Sequence, residues 1–215
     1  MKFKEENGVR IYQVPAADAV IDPHQEDCNY PYKELCGAGV AYKLVRVLLE
    51  ELEIDPAKAE YLIENVAIAT IGDVVNLTGE NRIFVRTGLE MLKKTKNEGL
   101  KALFECTGID VENLNTYHIG FVIGPCINAC GRLDTAKRAL ELLNAPGRRE
   151  AVMMAEDLKA LNESRKEMTE KGVERAVEMI ETSILKKDSV LVVYLPDCHE
   201  SIAGIIAGRL KERYY

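Results

Sequence analysis

The stretch Ile119-Gly120-Phe121-Val122-Ile123-Gly124-Pro125-Cys126-Ile127-Asn128-Ala129-Cys130-Gly131-Arg132-Leu133 decides how this chain is read. Gly120, Gly124, Pro125 and Gly131 punctuate it. Glycine permits close approach or positive φ and proline fixes φ, so the composition predicts a breaker-rich loop immediately before an apolar helix. Asn128 brings an amide to that loop, and Arg132 a guanidinium charged at any physiological pH. One reading is a loop built to hold something anionic. The other is a tight interhelical connection in which Asn128 caps backbone groups and Arg132 pairs with a surface carboxylate. Local chemistry leaves both open.

The totals set the class. With 215 residues, 47% hydrophobic and 29% charged, the chain can bury a sizeable core as one large or two small domains. No apolar run approaches the roughly 18 residues of a membrane span, and the Met1-Lys2-Phe3-Lys4-Glu5-Glu6 start lacks a signal-peptide apolar region, so cytoplasmic residence is expected. The net charge of −7 argues against nonspecific coating of nucleic acid, which relies on a basic domain. A nuclease is still compatible, because phosphoryl-transfer sites concentrate carboxylates and strand contact can be confined to a local basic groove. None of the six cysteines forms a C-x-x-C pair. Cys126 and Cys130 stand one helical turn apart without other nearby ligands, which suits buried thiols better than a metal site.

Outward from the central stretch, hydrophobic spacing predicts the elements. Ala19-Val20-Ile21 reads as a strand closed by Asp22-Pro23. Gly37-Ala38-Gly39 opens a helix running through Leu49 and stopped by Asp55-Pro56, with close packing or phosphate binding as the roles of its glycines. Ala57 to Ala69 reads as a helix, Thr70 to Leu77 breaks the pattern, and Ile83 to Lys94 is helical again. Lys93, Lys94, Lys96 and Lys101 form either a solvated face or the border of a nucleic-acid groove. Residues 147–182 carry one long helical pattern expected to bridge two bodies, with Gly172 marking a bend or a close contact. Ser189 to Leu195 reads as a buried strand and His199 to Arg213 as a helix.

Two further residues carry candidate chemistry. Asp73 lies between apolar stretches, flanked by Gly72 and Val74-Val75, so apolar surroundings are expected; a buried carboxylate must be paired, protonated or metal-bound, unless it only caps a helix. His199, after Pro196-Asp197-Cys198, can likewise serve as a helix cap.

Five segments resemble those of the RecJ-like single-strand-specific 5′ exonucleases of the DHH phosphoesterase superfamily. Gly124 to Leu133 is similar to G-P-x-I-N-A-x-G-R-L, and Tyr30 to Leu44 to Y-P-F-K-x-L-x-G-x-G-V-A-F-K-L. Ala69 to Arg82 is similar to G-T-V-A-D-V-x-P-L-x-x-E-N-R, with Gly72 and Asn76 replacing Ala and Pro. Leu161 to Glu170 matches L-N-x-x-R-K-x-x-T-E. The tail Cys198 to Leu210 is similar to H-x-G-V-x-G-I-V-A-S-R-L, with Ser201 and Gly208 as departures.

The resemblance implies an α/β fold: the mostly helical C-terminal part of a DHH domain (1–146), a connecting helix (147–186) and the first strand-helix unit of a DHH-associated domain (187–215). It implies a Mg²⁺- or Mn²⁺-dependent exonuclease degrading single-stranded DNA 5′ to 3′ in recombination and repair, partnered by single-strand-binding protein and a helicase. Asp73 would be a catalytic metal ligand, and Asn128, Arg132, His199 and Arg209 would contact the strand. D-x-D and D-H-H motifs do not occur in the sequence, so the chain is expected to begin after D-H-H, end within the associated domain and be inactive alone. A DHH phosphoesterase of short oligonucleotides or cyclic dinucleotides, and a nonenzymatic DNA-binding or replication scaffold of the same superfamily, are the alternatives.

Overall fold

Strand-forming residues open the chain. A computed structural model describes residues 2–6, 9–13 and 15–214, with side chains from residue 15 onward. Strands β1 (Lys2–Glu6) and β2 (Val9–Gln13) pair antiparallel, with Glu6 opposite Val9 and Lys2 opposite Gln13. The two strands form the only sheet among the described residues. The Ala19-Val20-Ile21 run expected as a strand has no regular structure; Ile21 is 57% exposed and no strand pairs with it.

By contacts the chain divides into two units, Met1–Gly88 and Leu89–Tyr215. In the first, helix α1 (Gly37–Glu51) packs on a 3₁₀ turn (Pro56–Leu62) and on α2 (Ile63–Gly72). The 3₁₀ turn starts where Asp55 accepts a bond from Ala57 N–H at 3.0 Å and Pro56 supplies a preset φ. Leu35, Tyr42, Ala59, Val66 and Phe84 form the core, with Tyr42 and Phe84 edge to face at 5.5 Å. Phe84 comes from α3 (Gly79–Leu92), which begins four residues earlier than the spacing predicted.

The second unit is organised by one long helix. Helices α4 (Glu98–Thr107), α5 (Thr116–His118), α6 (Gly124–Leu133) and α7 (Lys137–Leu143) precede α8 (Arg148–Thr182), and α9 (Glu200–Tyr214) follows it. Buried Ala151, Ala155, Leu158, Asn162, Thr169, Ala176 and Ile180 keep helical spacing along α8, so one stripe meets α4, α6 and α7 and then α9. The bounds of α8 match the sequence expectation. Along its whole length α8 lies within this unit.

Gly172 is where α9 docks. A Cβ there would overlap the Ile206 side chain, which is 3% exposed. Glycine costs a helix interior about 1 kcal/mol, whereas burying an isoleucine contributes about 1.5–3 kcal/mol, so the close contact more than offsets the weak helix former. Ile180, Ile202 and Leu210 extend the same cluster.

Ser189 to Leu195, expected as a strand, runs without regular structure, and Val190, Val192 and Tyr194 are 71%, 74% and 76% exposed. Alternate side chains, Leu191, Val193 and Leu195, still pack on the α8–α9 cluster. The period-two pattern is there, but no neighbouring strand among the described residues supplies ladder hydrogen bonds. The described fold is mostly helical, as expected for residues 1–146, while of the expected strand-helix unit at 187–215 only the helix is regular. Among the described residues no helix is long and apolar enough to cross a membrane.

Candidate functional site

Asp73 terminates α2, its N–H bonded to Ala69 O at 2.8 Å. It is exposed rather than set in apolar surroundings, since Val74 beside it turns 88% of its surface outward. Val74 has φ 55°, a left-handed conformation unusual for a β-branched residue and costing on the order of 1–3 kcal/mol. A carboxylate at the negative end of a helix is also unfavourable by itself.

The loop after Asp73 is pinned by the segment that follows it. The Asn81 side chain is fully buried and its NH₂ donates to Glu34 O at 2.7 Å and Asn76 O at 3.0 Å. Only the nitrogen can satisfy two carbonyls, which fixes the amide's orientation and leaves Oδ1 without a partner among the described residues. Tyr32 O–H donates to Thr78 O at 2.8 Å, and Tyr30 O–H to Glu80 at 2.6 Å. Lys43 pairs with the same carboxylate. Burial alone would lower the Lys43 pKa, but hydrogen bonds with Glu80 and Tyr30 and the nearby charge outweigh it and hold it above the ordinary lysine value. Burial would raise Glu80, yet Lys43 and Tyr30 hold it below the usual carboxylate range. Two segments singled out in the sequence, Tyr30 to Leu44 and Ala69 to Arg82, thus meet around this loop.

Among the described residues no three His, Cys, Asp or Glu side chains gather where they could hold an ion. These residues do not by themselves fit the divalent metal that the resemblance implies.

In the second unit, the expected loop at Ile119 to Leu133 is helical. A π-helical turn, Ile119–Ile123, leads directly into α6. The physical reason is Pro125: near the start of α6 its missing N–H is harmless, and a π turn relieves the clash its ring would make one turn back. Gly124 is buried with Ile119 O only 3.0 Å from where a Cβ would sit, so its lack of a side chain is used in packing. Cys126 and Cys130 are buried free thiols inside this helix. Burial raises the Cys126 pKa, against a bond from Asn162 at 3.5 Å.

Asn128 and Arg132 are exposed on α6, and Arg132 donates to Ser201 O at 2.8 Å across to α9. His199, also exposed, caps α9 by accepting from Ser201 N–H at 3.3 Å on Nδ1 and meets Ser201 Oγ at 2.7 Å. Arg209 is exposed two turns further along α9. Arg165 on α8, to which the sequence reading gave no role, joins them. Its guanidinium donates to Asn162 Oδ1 through Nε (3.1 Å) and a terminal nitrogen (3.0 Å). Burial and then the positive charges of Arg132 and Arg209 push its pKa down. Among the described residues none of these three arginines has an ion-pair partner, whereas Arg46, Arg138, Arg148 and Arg175 each have a carboxylate. The Asn162-x-x-Arg165 spacing on one helix face was the available signal. Lys93 and Lys101, by contrast, pair locally with Glu90 and Glu98, both at 2.8 Å, as a solvated face does.

No family model matches the chain. It is 37% identical over 203 residues to the single-stranded-DNA-specific exonuclease RecJ of Bacillus subtilis, covering 94% of this chain and 25% of that protein. It is 36% identical over 216 residues to the RecJ of the same description from Escherichia coli, covering 94% and 37%. The chain thus spans well under half the length of these curated relatives. Crystal structures of RecJ from Thermus thermophilus in complex with Mg²⁺ and with Mn²⁺ match at 30% identity, with TM-scores of 0.73 and 0.74. These matches cover 86% and 87% of this chain and 29% and 27% of those chains. Sequence and fold agree over nearly all of its residues, and the chain belongs to the RecJ family.

Proposed function

We propose that this chain carries the strand-gripping part of a RecJ-like exonuclease and binds the phosphates of single-stranded DNA at the α6–α8–α9 junction. The observation behind this reading is the meeting of α6, α8 and α9, where Arg132 reaches across to Ser201 O, Arg165 lies within the electrostatic reach of Arg132 and Arg209, and none of the three has a carboxylate partner among the described residues. Mutual repulsion of three cations and partial desolvation of one are unfavourable, and an anion at their centre reverses the sign of both. Arginine forks match phosphate oxygens. Asn128 and His199 flank the same junction as additional donors.

In the complete protein, this grip serves Mg²⁺- or Mn²⁺-dependent 5′-to-3′ hydrolysis of single-stranded DNA in recombination and repair, with single-strand-binding protein and a helicase as partners. Asp73 contributes one carboxylate to the metal centre, and the other ligands are not among the described residues. By motif the chain divides at 146 and 186 into a catalytic-domain part, the connecting helix and the opening of a DHH-associated domain. The chain alone is inactive.

Arg209 offers the cleanest test, being exposed and without an ion-pair partner among the described residues, so its loss leaves the fold intact. Arg209→Ala should weaken binding of a single-stranded oligonucleotide, measured by fluorescence anisotropy, and leave the melting temperature unchanged. Unaltered affinity in that variant would remove the junction from strand binding.

A further inference from the structure

Two aromatic rings on the helical run that leads to Arg132 are exposed and already stacked. Tyr117 and Phe121, one turn apart, lie with ring centroids 5.0 Å apart and planes inclined by 25°. They are 61% and 70% exposed, whereas Phe84 and Phe104 are buried at 8% and 1%. A lone exposed apolar side chain is ordinary on a protein surface. A preformed stack in line with an unpartnered amide and an arginine without a carboxylate is not.

Successive helical turns from Phe121 lead through half-buried Pro125 to exposed Asn128 and Arg132, so rings, amide and guanidinium share one broad face. Asn128 has no hydrogen-bond partner among the described residues, and Arg132 belongs to the arginine cluster. Eleven residues separate Phe121 from Arg132, roughly 16 Å at 1.5 Å per residue, which a few stacked nucleotides cover at about 3.4 Å each.

We propose that Tyr117 and Phe121 form a stacking platform for bases of the single strand whose phosphates the arginine cluster binds, an inference that rests on the phosphate reading above. Every base has a π-face, so the platform takes single-stranded nucleic acid with little regard to sequence. An apolar protein segment is the poorer occupant, because it would cover the rings and leave the Asn128 amide and the Arg132 N–H groups not bonded to Ser201 O on the same face without acceptors.

The chain contains no tryptophan, so Phe121→Trp introduces a single indole reporter. The full chain carrying this substitution is titrated with a single-stranded oligonucleotide and with an abasic strand of equal length and charge. Indole emission is expected to be quenched by the base-bearing strand only. In parallel, Phe121→Ala should weaken binding of the base-bearing strand roughly 5- to 100-fold and leave the abasic strand unaffected. Binding without quenching, or equal affinities for both strands in Phe121→Ala and the parent chain, overturns the platform while leaving the phosphate site standing. The second result would assign the rings to a protein surface. Failure of the parent chain to bind either strand overturns the phosphate reading, and the platform with it.

Discussion

Asn81→Asp is nearly isosteric and removes only donors, which makes it a sharp test of how the Asp73 loop is held. The wild-type amide satisfies two backbone carbonyls, Glu34 O and Asn76 O, from a fully buried position. A hydrogen bond contributes about 0.5–1.5 kcal/mol net, and Glu34 and Asn76 are exposed residues, with Asn76 O also meeting the Tyr32 O–H at 3.5 Å, so losing both bonds amounts to about 1–3 kcal/mol before the burial of a new charge is counted. For a chain of this size that corresponds to a drop of roughly 2–12 °C in melting temperature, at about 2–4 °C per kcal/mol. The new carboxyl faces two carbonyl oxygens in a desolvated site, so its folded-state pKa is raised above the unfolded value. The neutral acid can donate one of the two lost bonds. The deficit is therefore full above the raised pKa and shrinks as pH falls through it. Thermal unfolding followed by circular dichroism across that range measures both effects. A variant melting within about 1 °C of wild type at neutral pH would show that the amide does not hold these segments together.

The Lys43–Glu80 pair should contribute stability only between two pH limits. Glu80 is depressed, so its contribution is present above the unfolded carboxylate pKa and lost as pH falls through the folded value; Lys43 is raised, so its contribution is present below the unfolded lysine pKa and lost as pH rises through the folded one. Both side chains still reach solvent, at 35% and 26% exposure, so the stability difference between wild type and Glu80→Gln should be modest, about 1 kcal/mol, flat at neutral pH and narrowing at both extremes. A difference that grows toward acid would contradict the assigned shifts. In the complete protein, Asp73→Ala should abolish hydrolysis of single-stranded DNA in Mg²⁺ or Mn²⁺ and leave strand binding in place; undiminished turnover would remove Asp73 from the metal centre.

What the sequence made legible was local. The α8 helix could be delimited to within a residue, because its apolar stripe repeats over 35 residues and needs no partner to be recognised. The Gly172 contact was foreseeable for the same reason: a glycine inside a strong helical pattern implies something close by. Elements that depend on distant partners were misread. Ser189 to Leu195 has the alternation of a strand, but a strand requires a neighbour. At Ile119 to Leu133 the breakers suggested a loop, yet Pro125 sits where proline is tolerated and a π turn absorbs the rest. Asp73 was expected in apolar surroundings because its sequence neighbours are apolar, whereas the left-handed turn at Val74 carries those neighbours outward. Arg165 was passed over as one charge among many on a long helix, and only the folded arrangement sets it beside Arg132 and Arg209.

The claim at the centre of this account is that the three arginines act together on phosphate. It is tested most directly by the salt dependence of oligonucleotide binding in the parent chain and in Arg132→Ala, Arg165→Ala and Arg209→Ala. Each substitution should lower the slope of log K against log salt by about 0.7, the value for one phosphate contact on a single strand. Slopes identical to the parent's in all three variants would contradict it.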